Sequence, residues 1–275
     1  MPELPEVETV VRDIRPLLIG KRIEAVQTSE LSLRRPWLPA WSQSLPGNRV
    51  QSVRRRGKWI VVDLDKGGRL LFHLGMTGQI RIVPAEKELD NHTHLIFSLA
   101  KGKEQFRFCD IRRFGSASMF VDESELETFF VDSGLGPEPL GLNADYLYER
   151  IAKTSRCLKA VLLDQQVVAG VGNIYADESL FAAKLSPQQL GEDTTKPQSG
   201  RLSKCIEEVL TRAIEFRGST ISNYVGGSGL KGGFQNEFTV YGRTGKPCVR
   251  CKSKIKRMRL AGRSTHYCPK CQKQT

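Results

Sequence analysis

The chain has 275 residues and a formal net charge of +12. Single hydrophobic cores stop growing at roughly 250–300 residues, so we expect more than one domain. No apolar run reaches the roughly 18 residues that cross a bilayer, and the N-terminus is acidic where a secretory signal would be basic and then apolar. These features exclude a membrane-embedded or secreted class and predict a soluble, cytoplasmic protein with no membrane partner.

The chain begins Met1-Pro2-Glu3, and the amine of residue 2 is its first candidate catalytic group. Methionine aminopeptidases normally remove a methionine that precedes proline, which would leave Pro2 with an α-amino pKa of about 8. A neutral secondary amine that attacks a sugar C1′ or an aldehyde gives an iminium ion, which is an electron sink. The carboxyl group of Glu3 could supply or take a proton beside it.

The same segment also predicts an ordinary helix. Pro5 and the acidic residues around it suit a helix N-terminus, and an apolar face follows at Val7, Val10, Val11 and Ile14. A helix does not exclude catalysis, because it is a rigid mount for a terminal amine.

From residue 23 to about residue 120, short apolar runs separated by turn residues predict the strands of a sandwich or barrel. The runs are 59–64, 70–74, 95–99, 106–108 and 117–120. Two loops of this region carry candidate chemistry. Residues 54–58, R-R-R-G-K, could be an active-site loop or a solvated turn. Residues 110–115, D-I-R-R-F-G, could grip a phosphate and place a ring in a base stack, or could simply pack.

The composition changes to Gly, Pro and Leu at residues 134–141, which is typical of a linker. Helical patterns follow at 144–153, 158–164, 174–184 and 202–216, with a polar connector at 185–199. Residues 168–173 end in G-V-G-N and lead into a helix. Their amides could bind a phosphate at the helix N-terminus, although glycines before a helix more often pack and cap.

Most of the excess charge lies in the last 33 residues, where 11 Lys or Arg and no Asp or Glu leave +1 for the rest of the chain. Such a segment is typical of a polyanion binder, most often of nucleic acid. A solubilising tail would instead be of low complexity, and this segment has regularly spaced cysteines.

Two C-x-x-C pairs, sixteen residues apart, predict one structural Zn²⁺ with four thiolate ligands, Cys248, Cys251, Cys268 and Cys271. Disulfides are the alternative, which a cytoplasmic location disfavours. Residues 252–265, between the pairs, predict a basic β-hairpin that could contact nucleic acid. The remaining cysteines, Cys109, Cys157 and Cys205, are predicted to pack.

Five segments occur in an order that closely resembles bacterial formamidopyrimidine-DNA glycosylase. They are M-P-E-L-P-E-V-E at the start, H-L-G-M from His73, D-I-R-R-F-G from Asp110, G-V-G-N-I-Y-A-D-E from Gly170, and G-R-S-T before the last C-P-K-C. The resemblance spans nearly the whole chain. One motif departs slightly, because many members have proline where Ile111 stands.

The resemblance implies an α+β multidomain protein that binds double-stranded DNA containing oxidised purines as a monomer. Residues 1–133 would form an N-terminal two-layer β-sandwich with flanking helices. Residues 134–240 would hold a helix-two-turn-helix domain and, at residues 218–234, a loop that caps the extruded base. Residues 241–275 would be the zinc finger, with its four cysteine ligands.

The resemblance also implies roles for individual residues. Pro2 would be the nucleophile, Glu3 the acid for the sugar ring oxygen, Lys58 the catalytic lysine, and Arg263 the finger arginine that grips the lesion phosphate. Met76, Arg112 and Phe114 would fill the gap left by the extruded base. Further candidates for DNA contacts are His73, His92, Arg113, Lys153, Lys159 and Asn173.

These assignments predict a bifunctional glycosylase and lyase. Two alternatives remain. An endonuclease VIII relative would prefer oxidised pyrimidines, but such proteins usually begin Pro-Glu-Gly-Pro, and this chain has Leu4. A zinc-finger DNA-binding protein without chemistry would explain the basic segment but not the Pro2-Glu3 start.

Overall fold

The computed structural model describes residues 1–31, 33–219 and 232–273. The chain divides into two compact units. Unit 1 comprises Met1–Asp132 with Arg217–Gly232, and unit 2 comprises Ser133–Phe216 with Gly233–Thr275. The predicted capping loop falls largely on residues 220–231, outside the described residues. The cysteine-rich segment clusters with the helical unit, and our three domain boundaries stay a prediction.

Unit 1 contains two four-stranded antiparallel sheets, which confirms the predicted α+β class. One sheet has the order β1-β6-β7-β5 and the other β2-β3-β4-β8. The strands are β1 Ile23–Thr28, β2 Val50–Arg56, β3 Trp59–Leu64, β4 Arg69–His73, β5 Gly78–Pro84, β6 Thr93–Leu99, β7 Glu104–Asp110 and β8 Ser116–Phe120. Buried side chains of both sheets, among them Ile60, Phe72, Phe97 and Phe106, share one hydrophobic core, as in a two-layer sandwich.

Helix α1, Leu4–Leu18, buries the predicted apolar face against this core. Arg15 Nε donates to the Val53 carbonyl at 2.9 Å, and Arg55 Nε contacts Glu8 Oε2 at 3.1 Å. The helix therefore runs antiparallel to β2, and its N-terminus lies at the end of β2 that leads into the turn before β3. Two further helices of unit 1 are α2, Pro39–Ser44, and α3, Glu123–Asp132.

The run of arginines at 54–56 is not a loop. All three residues belong to β2, and only Gly57 and Lys58 form the turn. Arg54 is held by carboxylates, with its Nε 3.1 Å from Asp63 Oδ2 and its Nη2 2.6 Å from Glu123 Oε2. Of the basic residues in this run, only Lys58 therefore lies in the turn.

Unit 2 contains helices α4 Ala144–Ala152, α5 Leu158–Leu163, α6 Asn173–Ala182 and α7 Lys196–Glu215, then the hairpin β9 Lys256–Leu260 and β10 Arg263–Tyr267. The connector that we predicted up to residue 199 is shorter, because α7 begins at Lys196. Thr195 and Gln198 form a capping box there, with Pro197 in the first turn. No helix among the described residues is long and apolar enough to span a bilayer.

Candidate active site and nucleic-acid interface

Pro2 is buried directly before α1, whereas Met1 is half exposed. Loss of Met1 would therefore remove little packing and would uncover the Pro2 amine on a rigid element. Glu3 is 3% exposed and caps α1, and its backbone amide donates to Glu6 Oε2 at 2.9 Å. These features suit a fixed amine with a carboxyl group beside it.

Glu6 is a residue that the sequence analysis did not single out. Its second oxygen, Oε1, accepts hydrogen bonds from the Ser219 amide at 2.7 Å and from the Ser219 hydroxyl at 3.0 Å. One buried carboxylate therefore joins the N-terminal segment to the chain just before residue 220. A capping box usually reads S/T-x-x-E, and residues 3–6 of this chain read E-x-x-E. This pattern was the sequence signal for a structural role of Glu6.

Lys58 lies in the β2–β3 turn and is 6% exposed. The next residue, Trp59, pairs with His73 across β3 and β4, and their rings lie 4.7 Å apart. Since α1 begins at the same end of β2, Lys58 and His73 lie at the end of unit 1 that carries Pro2 and Glu3.

Burial, and then the positive charges of Lys58, Arg34 and Arg35, lower the pKa of His73 to about 4. Its Nδ1 accepts a hydrogen bond from the Gly75 amide at 3.1 Å. His73 is therefore neutral near pH 7 and carries its proton on Nε2. It can donate to a phosphate as a neutral ring, and it adds no positive charge.

Asp110, at the end of β7, connects the two loops in which we placed the gap-filling residues. It is fully buried, and its Oδ2 accepts from the Gly115 amide at 2.7 Å. Its Oδ1 accepts from the Arg112 amide at 3.2 Å and from the Thr77 hydroxyl. The Asp110 amide in turn donates to the His92 carbonyl at 2.9 Å. This one residue thus brings together segments from three loops.

The loop after β4 and the loop after β7 touch through their glycines. A Cβ on Gly75, whose φ is +58°, would lie 2.5 Å from the Phe114 carbonyl carbon. Only glycine permits both this backbone conformation and this approach. Met76 and Phe114 remain 39% and 44% exposed, and the Arg112 guanidinium lies 4.6 Å from the centre of the Phe114 ring.

These contacts place six of the predicted DNA-contacting residues at one end of unit 1. They are His73, Met76, His92, Arg112, Arg113 and Phe114. An exposed cation stacked on an exposed ring, beside an exposed thioether, has the chemistry needed to occupy a gap in a base stack.

In unit 2, Asn173 is the first residue of α6, and its Nδ2 donates to the Ser264 carbonyl at 3.0 Å. Ser264 follows Arg263, which is exposed at the start of β10. The helix N-terminus and the finger hairpin therefore meet, so that Asn173 and Arg263 lie close together. Lys153 is exposed at the C-terminus of α4.

Lys159 is not a DNA contact, and our prediction is corrected here. Its side chain is 0% exposed, and its Nζ lies 2.6 Å from Asp177 Oδ1 and 2.8 Å from the Asn173 carbonyl. A buried lysine that is paired to a buried carboxylate cannot also reach a phosphate. Lys159 instead fixes the first turn of α6, which carries Asn173.

Asp177 and Glu178, which the sequence analysis passed over, attach the last third of unit 2 to α6. Asp177 Oδ2 accepts from the His266 amide of β10 at 2.8 Å. Glu178 Oε1 accepts from the amides of Val240 and Tyr241 at 3.0 and 2.8 Å. Burial raises the pKa of Glu178, and these hydrogen bonds oppose that rise. The two neighbouring carboxylates anchor the segment that leads to the finger and the hairpin itself.

The four predicted zinc ligands converge, and their sulfur atoms all lie within 4.8 Å of one another. Backbone amides point at two of them: the Arg250 amide lies 3.4 Å from Cys248 Sγ, and the Cys271 amide 3.4 Å from Cys268 Sγ. Such N–H groups favour thiolates. Four thiolates this close require a cation between them, which fits one tetrahedral Zn²⁺.

Comparisons with known proteins match three consecutive parts of the chain. Residues 1–117 match the formamidopyrimidine-DNA glycosylase N-terminal domain. Residues 135–225 match the H2TH domain of the same enzyme, and residues 245–274 match a zinc finger found in FPG and IleRS. The chain belongs to the formamidopyrimidine-DNA glycosylase family. This membership confirms the resemblance that we drew from the five sequence segments. The zinc-finger match and the four converging cysteines also confirm the predicted structural zinc site.

Individual members of the family match over their full length. The formamidopyrimidine-DNA glycosylase of Carboxydothermus hydrogenoformans is 40% identical over 99% of this chain and 100% of its own. That of Bacillus licheniformis is 42% identical over 100% of both. The Lactococcus lactis enzyme, in a complex with an abasic site containing DNA, superposes with a TM-score of 0.91 at 33% identity, covering 99% of this chain and 100% of that one.

Proposed function

We propose that this DNA glycosylase excises oxidised purines, including 8-oxoguanine and formamidopyrimidines, and then cleaves the strand as a lyase. The observation that carries the proposal is the shared position of the Pro2-Glu3 start, Lys58 and the Asp110-linked loops at one end of unit 1. The G226P mutant of the Lactococcus lactis FPG forms a complex with a Fapy-dG containing DNA, and this chain matches that structure with a TM-score of 0.92 at 33% identity. That lesion is an opened purine.

The chemistry begins with extrusion, because the glycosidic carbon is inaccessible in a stacked duplex. The nitrogen lone pair of Pro2 attacks C1′, and the bonding pair of the C1′–N bond leaves with the base. The departing base takes up a proton, and the Pro2 nitrogen gives up its own proton. Glu3 protonates the sugar ring oxygen, the C1′–O4′ bond opens, and an iminium ion remains. The substrate carbon is now covalently bound to residue 2.

The iminium acidifies the C2′ protons, so a base can remove one and the 3′ phosphate leaves with the C3′–O bonding pair. In a second elimination a base removes the C4′ proton, and the 5′ phosphate leaves with the C5′–O bonding pair. Water then hydrolyses the remaining iminium and frees the Pro2 amine. Lys58 and Arg263 would bind these phosphates and stabilise their developing charge. The zinc ion would have no open coordination position and would hold the hairpin that carries Arg263.

The gap left by the extruded base would be occupied by Met76, Arg112 and Phe114. Phosphate contacts would come from neutral His73, from His92 and Arg113, and in unit 2 from Lys153 and Asn173. We further propose that the enzyme acts as a monomer in the cytoplasm on nucleoid DNA.

A base-release assay tests the substrate class. Duplexes that differ only in one lesion, 8-oxoguanine or an oxidised pyrimidine such as thymine glycol, are incubated with excess enzyme. We expect the purine to be released faster. Preferential release of the pyrimidine would support the endonuclease VIII alternative, and release of neither base by a protein that binds the duplex would support a non-catalytic DNA-binding protein.

A further inference from the structure

Arg34 and Arg35 are adjacent arginines in the segment between β1 and α2. Several other arginines of unit 1 are paired with carboxylates, such as Arg55 with Glu8 and Arg69 with Glu123. Arg34 and Arg35 are both exposed, and within residues 1–31, 33–219 and 232–273 neither has an ion pair. Because both guanidinium groups remain hydrated, the lack of a counter-ion carries no desolvation penalty. Both are available to an anion from outside the chain.

The structure places both residues beside the candidate DNA-contacting loops. The Arg34 amide donates to the Gly115 carbonyl at 3.3 Å, so residue 34 lies against the loop that carries Arg112 and Phe114. This backbone contact fixes the start of the Arg34 side chain at the edge of that loop.

Arg35 is oriented by an aromatic row. Its guanidinium lies 4.7 Å from the centre of the Phe129 ring. Phe129 stacks edge-on against Trp59 at 5.6 Å, and Trp59 contacts His73 at 4.7 Å. A guanidinium held over a ring keeps its planar donors directed outwards. The positive charges of both arginines act on His73 and, together with that of Lys58, lower the pKa of its ring.

We infer that Arg34 and Arg35 form an additional phosphate-binding position, which extends the DNA-contacting surface of unit 1 beyond the predicted residues. The ligand is the backbone of double-stranded DNA next to the Arg112–Phe114 loop. Guanidinium groups suit phosphate because their donors match its oxygens in pairs. The inference rests on the proposed function, since it requires lesion-containing DNA to bind at this end.

The test is the salt dependence of DNA binding. Fluorescence anisotropy of a duplex with a tetrahydrofuran abasic-site analogue would be measured from low to high NaCl for the full-length, zinc-loaded protein. Each phosphate neutralised contributes about 0.9 to the slope of log affinity against log salt. We expect the double variant Arg34→Ala/Arg35→Ala to lose about 1.8 of that slope if each arginine binds one phosphate.

A matched control removes two charges elsewhere. Lys66 and Lys103 are exposed. They lie beyond the ends of β3 and β7 that are opposite to Trp59 and Asp110. Lys66→Ala/Lys103→Ala should leave the slope nearly unchanged, and Arg34→Lys/Arg35→Lys should keep most of it. The conservative variant also guards against misfolding, because it retains charge and much of the contact with Phe129.

An unchanged slope in folded Arg34→Ala/Arg35→Ala protein would overturn the inference, as would an equal loss in the Lys66/Lys103 control. Neither result would touch the proposed function, which fails only if the wild-type enzyme neither binds the lesion duplex nor releases a base.

Discussion

The buried carboxylate of Asp110 accepts a hydrogen bond from the Gly115 amide at 2.7 Å, across the loop that carries Arg112 and Phe114. The same carboxylate also accepts from the Arg112 amide and the Thr77 hydroxyl. Because both oxygens serve as acceptors, a carboxylate fits this position better than an amide. The loop that we expect to enter the DNA stack is thus shaped before DNA arrives.

Asp110→Asn should therefore loosen both loops. One carboxylate oxygen becomes an amide NH₂ group, which faces a backbone N–H that is also a donor. We therefore expect the free energy of unfolding to fall by about 1–3 kcal/mol. Binding to lesion-containing DNA should also weaken. Urea unfolding and anisotropy would measure the two effects. Asp122→Asn is the matched control, since Asp122 Oδ1 also accepts a backbone amide, from Glu125, but in an exposed turn. Equal losses of DNA affinity in both variants would argue against a role for Asp110 at the interface.

Lys159→Met should unfold unit 2 more easily without changing the salt dependence of DNA binding. Removal of one partner leaves Asp177 buried without its cation, which typically costs about 3–5 kcal/mol. Lys153→Met removes an exposed charge, so the free energy of unfolding should change by under about 0.5 kcal/mol. The slope of log DNA affinity against log salt should instead fall by about 0.9. A stable Lys159→Met variant with a reduced slope would restore Lys159 as a phosphate contact.

His73 should titrate at about pH 4, well below the ordinary range for histidine. The unfolded chain binds this proton with a pKa near 6.5, so between about pH 6.5 and pH 4 the unfolded state holds more protons than the folded state. Stability should therefore fall as the pH drops through this window, and the His73 contribution should be constant above it. NMR titration of the ring protons measures the pKa. A value near 6.5 would contradict the account, and His73→Gln, which cannot titrate, should flatten this part of the stability curve.

Arg112 should give the enzyme a preference for cytosine opposite the lesion. Adenine offers the wrong acceptor pattern to a guanidinium, and one good contact of this kind discriminates by about 1–3 kcal/mol. Arg112→Lys keeps the charge but loses the paired donors, so its preference should fall towards that of Arg112→Ala. Excision of 8-oxoguanine opposite cytosine and opposite adenine measures the ratio. A preference that survives in folded Arg112→Ala protein would exclude this role.

The regular elements and the zinc ligands could be predicted from the sequence because their signals are local. Helix α1 shows its apolar face in the spacing of Val7 and Ile14, and the four cysteines show their ligand set in two C-x-x-C pairs. The early start of α7 was also readable, from the Thr195 and Gln198 capping box. Each of these features depends on residues a few positions apart.

The errors arose where a residue's environment is set by distant parts of the chain. Lysine is almost never fully buried unless it is paired, so nothing local marks Lys159 as the partner of Asp177, eighteen positions away. Asp110 and Glu6 likewise gain their importance from the loops that fold onto them. Arg34 and Arg35 gain their position beside the Arg112–Phe114 loop from the contact of the Arg34 amide with the Gly115 carbonyl, which sequence spacing does not encode.

Borohydride trapping with peptide mapping tests the central claim, that the amine of Pro2 is the nucleophile. Enzyme shown by intact mass to lack Met1 would be incubated with a duplex containing 8-oxoguanine, reduced, digested and sequenced by mass spectrometry. The account predicts that the reduced DNA adduct maps to Pro2, and that protein retaining Met1 traps little DNA while still binding it. An adduct that maps to Lys58, or undiminished trapping by protein that retains Met1, would contradict the assignment.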